Sequence, residues 1–348
     1  MNKTQIQKIF SEYKLDVIIS TSEQTRLWYT KINTSAGFLF IEAQQNKKNS
    51  TLIIDGRYIE TAKKSAQNVR VKLLKQNTLK DFAHKKRQKY RVIGLEKEYL
   101  TLGEHEKFTK LFPYAQFILF SGQSLRIIKS VEEIQLMKKA GEISLKALNK
   151  LKRFIKPGIT EKALDIKLET YLRELGADKS SFDAIIASGH RSSLPHGRAS
   201  SKTLENGELV TIDFGAYFKG YAADITRTFH VGKVTDKKLL EIEKIVTQAQ
   251  QLGIKAIKPG ITTGEIDKIC RDYIEKMGYG KYFVHSTGHG LGIDVHELPY
   301  VAKQNKTVLK PGMVITVEPG IYIPNFGGIR LEDDILVTND GHEILSSL

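Results

Sequence analysis

Ile155-Lys156-Pro157-Gly158-Ile159-Thr160 recurs as Ile257-Lys258-Pro259-Gly260-Ile261-Thr262, an offset of 102 residues. The same offset matches Asp165 to Asp267, Tyr171 to Tyr273 and Gly176 to Gly278. Further on, Leu204-Glu205-Asn206-Gly207-Glu208-Leu209-Val210-Thr211-Ile212-Asp213-Phe214-Gly215 matches Leu309-Lys310-Pro311-Gly312-Met313-Val314-Ile315-Thr316-Val317-Glu318-Pro319-Gly320 at an offset of 105. Chance yields one hexapeptide match but not an ordered series. The series predicts a duplicated α+β unit with pseudo-twofold symmetry, one copy over about 130–250 and the other over about 251–348. Each copy reads helix, Pro-Gly turn, helix, then strands. A site shared by both copies would lie near the axis between them.

Ahead of the repeat the chain reads as an α/β domain. Runs rich in Ile, Val, Leu and Phe at 16–20, 37–41, 51–54, 71–74, 92–95 and 116–120 carry the strand signal. Helices are expected over 58–67 and 103–111. The pattern changes at Ser121-Gly122-Gln123-Ser124. A helix over about 131–154 follows, opened by Ser130 with Glu133 three residues on, a capping-box pair. The expected domains are therefore 1–123 and 124–348.

The repeat aligns Asp213 with Glu318, each at the end of an apolar strand. A buried charge there is costly unless paired or bound to a cation. Each has a second acid downstream. Asp224 follows Asp213 across Tyr217-Phe218-Lys219-Gly220, and a hairpin centred on Phe218/Lys219 would set the two face to face, Cβ atoms about 4.5–5.5 Å apart. Glu332 follows Glu318 across Pro324-Asn325-Phe326-Gly327-Gly328, and a hairpin centred on Asn325 does the same. Four carboxylates in two opposed pairs do not all stay ionised without cations. Arg227 and Arg330 are the few basic residues nearby, too few to neutralise the set.

Six of the nine histidines lie between positions 190 and 296, and His285, His289 and His296 share one Gly-rich segment. Gly288 and Gly290 flank His289, which leaves room for backbone or ligand to approach. Oxygen ligands with one imidazole suit Mn²⁺, Mg²⁺, Co²⁺ or Zn²⁺. Two bridging acids would hold two such ions about 3.5–4 Å apart and bring a bound water towards a pKa of about 7, which is hydrolase chemistry.

Composition narrows the remaining classes. One cysteine, Cys270, excludes an intramolecular disulfide framework and a zinc-finger cluster and fits a reducing compartment. The opening MNKTQIQKIFSEYKLD lacks an apolar core of signal length, and no apolar run approaches the about 18 residues of a membrane span. A cytoplasmic location is the expectation. The net charge of +15 is unevenly placed. Residues 1–130 hold 24 Lys and Arg against 11 Asp and Glu, whereas residues 131–348 hold 30 against 28. The densest basic run is Lys85, Lys86, Arg87, Lys89 and Arg91. No aromatic platform accompanies it, so it reads as a solvated face rather than a nucleic-acid site.

Six segments together resemble the pita-bread metallopeptidase family. They are Leu194-Pro195-His196-Gly197, Thr211-Ile212-Asp213-Phe214-Gly215, Tyr221-Ala222-Ala223-Asp224-Ile225-Thr226-Arg227-Thr228, Thr287-Gly288-His289-Gly290-Leu291-Gly292, Val317-Glu318-Pro319-Gly320 and Gly328-Ile329-Arg330-Leu331-Glu332-Asp333. Their order and spacing match over about 124–348. The nearest branch is the proline-specific one, aminopeptidase P and prolidase. Ile54-Asp55-Gly56-Arg57-Tyr58 resembles the creatinase-type N-terminal domain of those enzymes, while Trp28-Tyr29-Thr30 fits their Asn-x-x-Tyr-Leu-Thr pattern loosely.

The resemblance implies a dinuclear site, Mn²⁺ first and Co²⁺ or Zn²⁺ as alternatives. Asp213 would chelate one ion, His289 and Glu318 the other, with Asp224 and Glu332 bridging. Glu318 would also shuttle the proton of the attacking water. His196, His285, His296 and Arg330 would bind substrate or stabilise the tetrahedral intermediate. The implied substrates are peptides with proline second, and the implied assembly is a homodimer. The expected activity is that of an Xaa-Pro aminopeptidase, with Xaa-Pro dipeptidase as the alternative. A methionine aminopeptidase shares the five ligands but usually lacks the first domain and a counterpart of His285. Creatinase lacks the metal-binding acids. Pita-bread binding modules typically lose ligands, and this chain keeps all five.

Overall fold

The computed structural model describes residues 3–43 and 49–346. The chain divides into two compact units, Met1–Arg126 and Ile127–Leu348.

The first unit runs α1 Lys3–Tyr13, β1 Val17–Ser20, α2 Glu23–Thr30, β2 Phe38–Glu42, β3 Thr51–Ile54, α3 Ile59–Ser65, β4 Arg70–Leu73, α4 Thr78–Lys86, β5 Val92–Glu96, α5 Leu102–Leu111 and β6 Gln116–Phe120. All six expected strands form, in one sheet of order β4-β3-β2-β1-β5-β6. The β1–β2 and β2–β3 pairs are antiparallel and the other three parallel. Helices α1, α2 and α4 were not expected. Arg26 lies buried in α2 and holds the carbonyls of Thr34 and Gly37, a tertiary role that apolar periodicity does not signal. Part of the basic run is not a free face. Lys86 and Lys89 both pair with the buried Glu42, which also accepts the Tyr90 hydroxyl at 2.6 Å. A carboxylate closing a central strand needs such partners.

The second unit opens with α6 Val131–Lys152, α7 Glu161–Glu174, β7 Lys179–Ser180, β8 Ile185–Ser188, β9 Leu209–Phe214, β10 Ala216–Phe218, β11 Tyr221–Ala222 and β12 Ile225–His230. It continues with α8 Lys237–Ala256, α9 Thr263–Lys276, β13 Gly288–Gly290, β14 Glu297–Val301, β15 Val314–Val317, β16 Gly320–Ile323, β17 Gly327–Arg330, β18 Asp333–Val337 and β19 His342–Ile344.

The duplication is visible element by element. Helices α7 and α9 each have 14 residues and are capped by Thr160 and Thr262. Gly158 and Gly260 have φ of +94° and +95°, a conformation that favours glycine, and each N–H is held at 3.0 Å, by Leu204 O and Leu309 O respectively. The sheet order β12-β9-β8 recurs as β18-β15-β13, antiparallel throughout. Hairpin β10–β11 recurs as β16–β17. The second copy starts with α8 at Lys237, earlier than the expected 251, because its long first helix precedes the Pro-Gly turn as α6 does in the first copy. Two apolar clusters support the copies. Ile143, Leu148, Leu164, Leu168, Val210 and Ile212 belong to one, and Ile242, Val246, Ile266, Ile274, Ile315 and Val317 to the other. The first backs β9, which carries Asp213, and the second backs β15, which ends just before Glu318.

Candidate metal centre

Asp213 lies on β9, paired with Ile185 on one side and Thr226 on the other. The hairpin beyond it turns at Lys219 and Gly220, both at positive φ, so its centre lies one residue past the expected one. Asp213 therefore faces Thr226 rather than Asp224. Asp224 is two residues from Thr226, and alternation keeps it on the same face. Its N–H is held by Asp334 Oδ2 at 3.0 Å.

The second hairpin matches its expectation. Val317 pairs with Asp333 and Gly320 with Arg330, so Glu318 and Glu332, between those rungs, lie opposite each other about Asn325. The two copies meet at Glu332. Its N–H donates to Thr226 O at 3.1 Å, and the Thr226 hydroxyl donates to Glu332 Oε2 at 2.7 Å.

His289 on β13 completes the cluster. Its Nε2 lies 3.6 Å from Asp224 Oδ2 and 3.5 Å from Glu318 Oε1. Nδ1 lies 3.1 Å from Gly290 O and so carries the proton, leaving the Nε2 lone pair facing the carboxylates. The flanking glycines admit neighbouring strands rather than a ligand. A Cβ on Gly288 would stand 2.1 Å from Thr316 O, and one on Gly290 2.2 Å from Leu298 O.

Asp213, Asp224 and Glu332 present ligand atoms within 4.8 Å of one another. So do His289, Glu318 and Glu332, and so do Asp224, His289 and His296. The five residues expected as ligands thus form one constellation, with His296 at its margin. The donor set fits divalent cations. Asp213 Oδ1 and Asp224 Oδ1 are buried without a hydrogen-bond partner. Such orphaned acceptors are costly unless a cation takes them up. The separations about His289 Nε2 exceed a hydrogen bond yet match atoms sharing one ion at about 2.0–2.2 Å.

Without a cation the charges resist ionisation. Burial, then the neighbouring Glu332 and Asp213, hold the Asp224 carboxyl above its ordinary value. Burial followed by Glu318 and Asp213 does the same to Glu332. Burial pushes Glu318 up to about 8, against the attraction of Arg330. Burial lowers His289 to about 3, so the ring stays neutral, as a ligand must be.

A cavity of about 540 Å³ opens over this cluster. His196 and His296 line it as exposed side chains, and His296 packs edge-on against His289 with ring centroids 4.2 Å apart. His285 also lines it, but both its nitrogens are engaged. Nδ1 meets Ser286 O at 2.7 Å and Nε2 meets Tyr322 OH at 2.9 Å. The structure thus places His285 in the cavity wall beside the expected ligands, its ring held from both sides by Ser286 and Tyr322. Arg330 is buried and reaches Asp213 Oδ2 at 2.5 Å, Tyr322 OH at 2.6 Å and Thr226 Oγ1 at 3.1 Å. Arg227 instead binds Asp333 and the Glu332 carbonyl.

Three residues at the centre carried no role in the sequence reading: Tyr322, Thr226 and Asp334. Asp334 had a legible signal, an acid two residues past Glu332 in a strand. Thr226 lies inside one of the segments that carry the resemblance but has no signal of its own, and Tyr322 has none, since their roles come from partners in other segments.

The chain matches metallopeptidase family M24 over residues 135–339 and the creatinase/prolidase N-terminal domain over residues 3–128. A protein of Mycoplasma pneumoniae called a putative Xaa-Pro aminopeptidase is 41% identical over 95% of this chain and 92% of its own length. Among solved structures, the Xaa-Pro dipeptidase from Bacillus anthracis superposes with a TM-score of 0.92 at 42% identity, covering 99% of this chain and 97% of that one. The X-Pro aminopeptidase from Thermotoga maritima gives 0.88 at 33% identity, covering 98% of each chain. With the buried acid pairs, His289 and the doubled architecture, these matches establish that the chain belongs to metallopeptidase family M24, with a creatinase/prolidase N-terminal domain ahead of the catalytic one.

Proposed function

We propose that the enzyme hydrolyses the bond between an N-terminal residue and proline, as an aminopeptidase that takes substrates from dipeptides upward. The observation that carries the hydrolytic reading is the constellation of Asp213, Asp224, His289, Glu318 and Glu332, with two buried carboxylate oxygens lacking any partner. Relatives bearing both Xaa-Pro names support the substrate class. A binding module without catalysis would not need this set complete.

When bound, two divalent cations supply Lewis acidity and a water that loses its proton near neutral pH. The donor set, mostly hard oxygens with one imidazole, favours Mn²⁺. Asp213, Asp224, His289, Glu318 and Glu332 are the side chains that would hold the cations. Glu318 takes the proton of the attacking water and returns it to the proline nitrogen, which has no N–H of its own and leaves only once protonated. His196 and His296 face the cavity as donors for the scissile carbonyl oxygen. Arg330 fixes Asp213, and through the Tyr322 hydroxyl it fixes the ring of His285.

Hydrolysis of Ala-Pro, Ala-Pro-Gly-Gly and Ala-Ala by the Mn²⁺-loaded enzyme tests the proposal. Both proline peptides should be cleaved and Ala-Ala spared. Equal cleavage of Ala-Ala would replace the proline assignment with a general aminopeptidase.

A further inference from the structure

The cavity wall is lopsided in charge. Five carboxylates line it, Asp183, Asp213, Asp224, Glu318 and Glu332, against two cations, Arg198 and Arg330. Arg330 is buried and committed to Asp213 and Tyr322. Arg198 differs. Its NH1 lies 2.7 Å from Asp183 Oδ2, with the two side chains 74% and 73% exposed. An ion pair so open to water is held weakly and exchanges partners readily.

The backbone beneath Arg198 is firmly held. Arg191 donates to its carbonyl at 2.8 Å. The buried Glu161 accepts from Arg191 and from the Ser200 N–H, binding the chain on both sides. Arg198 bridges to Ile185, and Ile185 pairs with Asp213. The three residues form one row across adjacent segments, and residues paired directly across a ladder share a face. At about 4.8 Å per step, the Arg198 backbone lies about 10 Å from that of Asp213. Successive residues of a bound peptide advance about 3.3–3.8 Å. A peptide that runs from the acid cluster along this row would place the first or second residue past its scissile carbonyl in the gap that the arginine side chain spans.

We propose that Arg198 is a specificity-determining residue that receives a substrate carboxylate beyond the scissile bond, exchanging Asp183 for it. The carboxylate is that of a C-terminal proline or of an acidic residue after proline. Four of the five acids are the ones proposed to hold the cations, which leaves Asp183 and Arg198 as the charged pair of the outer wall, and a guanidinium matches a carboxylate bidentately. The inference rests on the Xaa-Pro reading above.

The experiment compares the wild-type enzyme with Arg198→Gln, Arg198→Lys and Asp183→Asn, all loaded with Mn²⁺. Two ratios of kcat/KM are read, Ala-Pro over Ala-Pro-NH2 and Ala-Pro-Asp-NH2 over Ala-Pro-Asn-NH2. Arg198→Gln should lower at least one ratio about tenfold, mainly through KM, the scale of a charge-assisted hydrogen bond. A fall confined to the first ratio assigns Arg198 to the carboxylate of proline itself. A fall confined to the second assigns it to the following residue. Arg198→Lys should keep part of the preference, and Asp183→Asn should raise it by releasing the guanidinium. Both ratios unchanged in Arg198→Gln overturn the inference and leave the Xaa-Pro reading standing. A wild-type enzyme that cleaves Ala-Ala and none of these four overturns that reading, and this inference with it.

Discussion

Thr226 and Glu332, 106 residues apart, are joined twice: the Thr226 carbonyl accepts the Glu332 N–H, and the Thr226 hydroxyl donates to Glu332 Oε2. The same hydroxyl accepts from Arg330 Nε. One buried oxygen thus orients Glu332 and the arginine that holds Asp213. Thr226→Val keeps the shape and removes that oxygen. Mn²⁺ affinity should fall about 10–100-fold, the usual cost of losing a partner behind a metal ligand. Stability of the metal-free protein should fall by about 1–3 kcal/mol. Metal titration and denaturant unfolding measure the two, and unchanged affinity would refute the orienting role.

Glu318→Gln retains one side-chain oxygen and loses the base. A kcat loss of at least ~10²-fold is expected, the scale of general acid–base catalysis, with Mn²⁺ partly retained. Steady-state kinetics beside metal analysis decides this. A near-normal kcat would remove the shuttle role.

Metal removal should expose the strain of the buried acids. In the folded metal-free protein Asp224 and Glu332 lie above their ordinary range, and Glu318 rises to about 8. The unfolded chain releases these protons near pH 4, and the folded chain keeps them. Their stabilising contribution is therefore complete below about pH 4 and is lost as pH rises through the folded values, up to about 8 for Glu318. Mn²⁺ competes with those protons, so its rise in Tm should be larger at pH 8 than at pH 6. Thermal melts with chelator and with Mn²⁺ at both values test the sign. A larger rise at pH 6 would contradict it. Chelation should also abolish hydrolysis, and Mn²⁺ should restore it.

Lys129 and Glu297 form an ion pair at 2.7 Å in which each side chain is only 1% exposed. Glu297 follows His296 directly and also accepts the Asp294 N–H. Lys129→Met strands a buried carboxylate and should cost about 3–5 kcal/mol. Lys129→Met combined with Glu297→Met removes both charges and should recover most of that loss. Unfolding midpoints of the two variants give the comparison. A double variant as unstable as the single one would show that the pair contributes more than its charges.

The sequence by itself determined the doubling of the catalytic unit, the strand positions of the acids and the common face of each acid pair. These are local or periodic signals: a repeated Pro-Gly turn, apolar runs ending in an acid, and alternation along a strand. The first hairpin shows how robust that last signal is. Its centre lies at Lys219/Gly220 instead of Phe218/Lys219, and moving a hairpin centre by one residue slides the partner by two. Asp213 changes partner from Asp224 to Thr226, yet the side-chain period of two leaves both acids on one face. Only the tertiary structure decided which groups converge there. It set His289 Nε2 between Asp224 and Glu318, tied Thr226 to Glu332, and turned Arg330 and Tyr322 onto Asp213 and His285. It also spent two lysines of the basic run on Glu42. These partners lie tens of residues or more apart along the chain or follow side-chain direction. They arise when the sheets pack and buried charges must find opposite charges or hydrogen bonds, and no periodicity in the sequence encodes that choice.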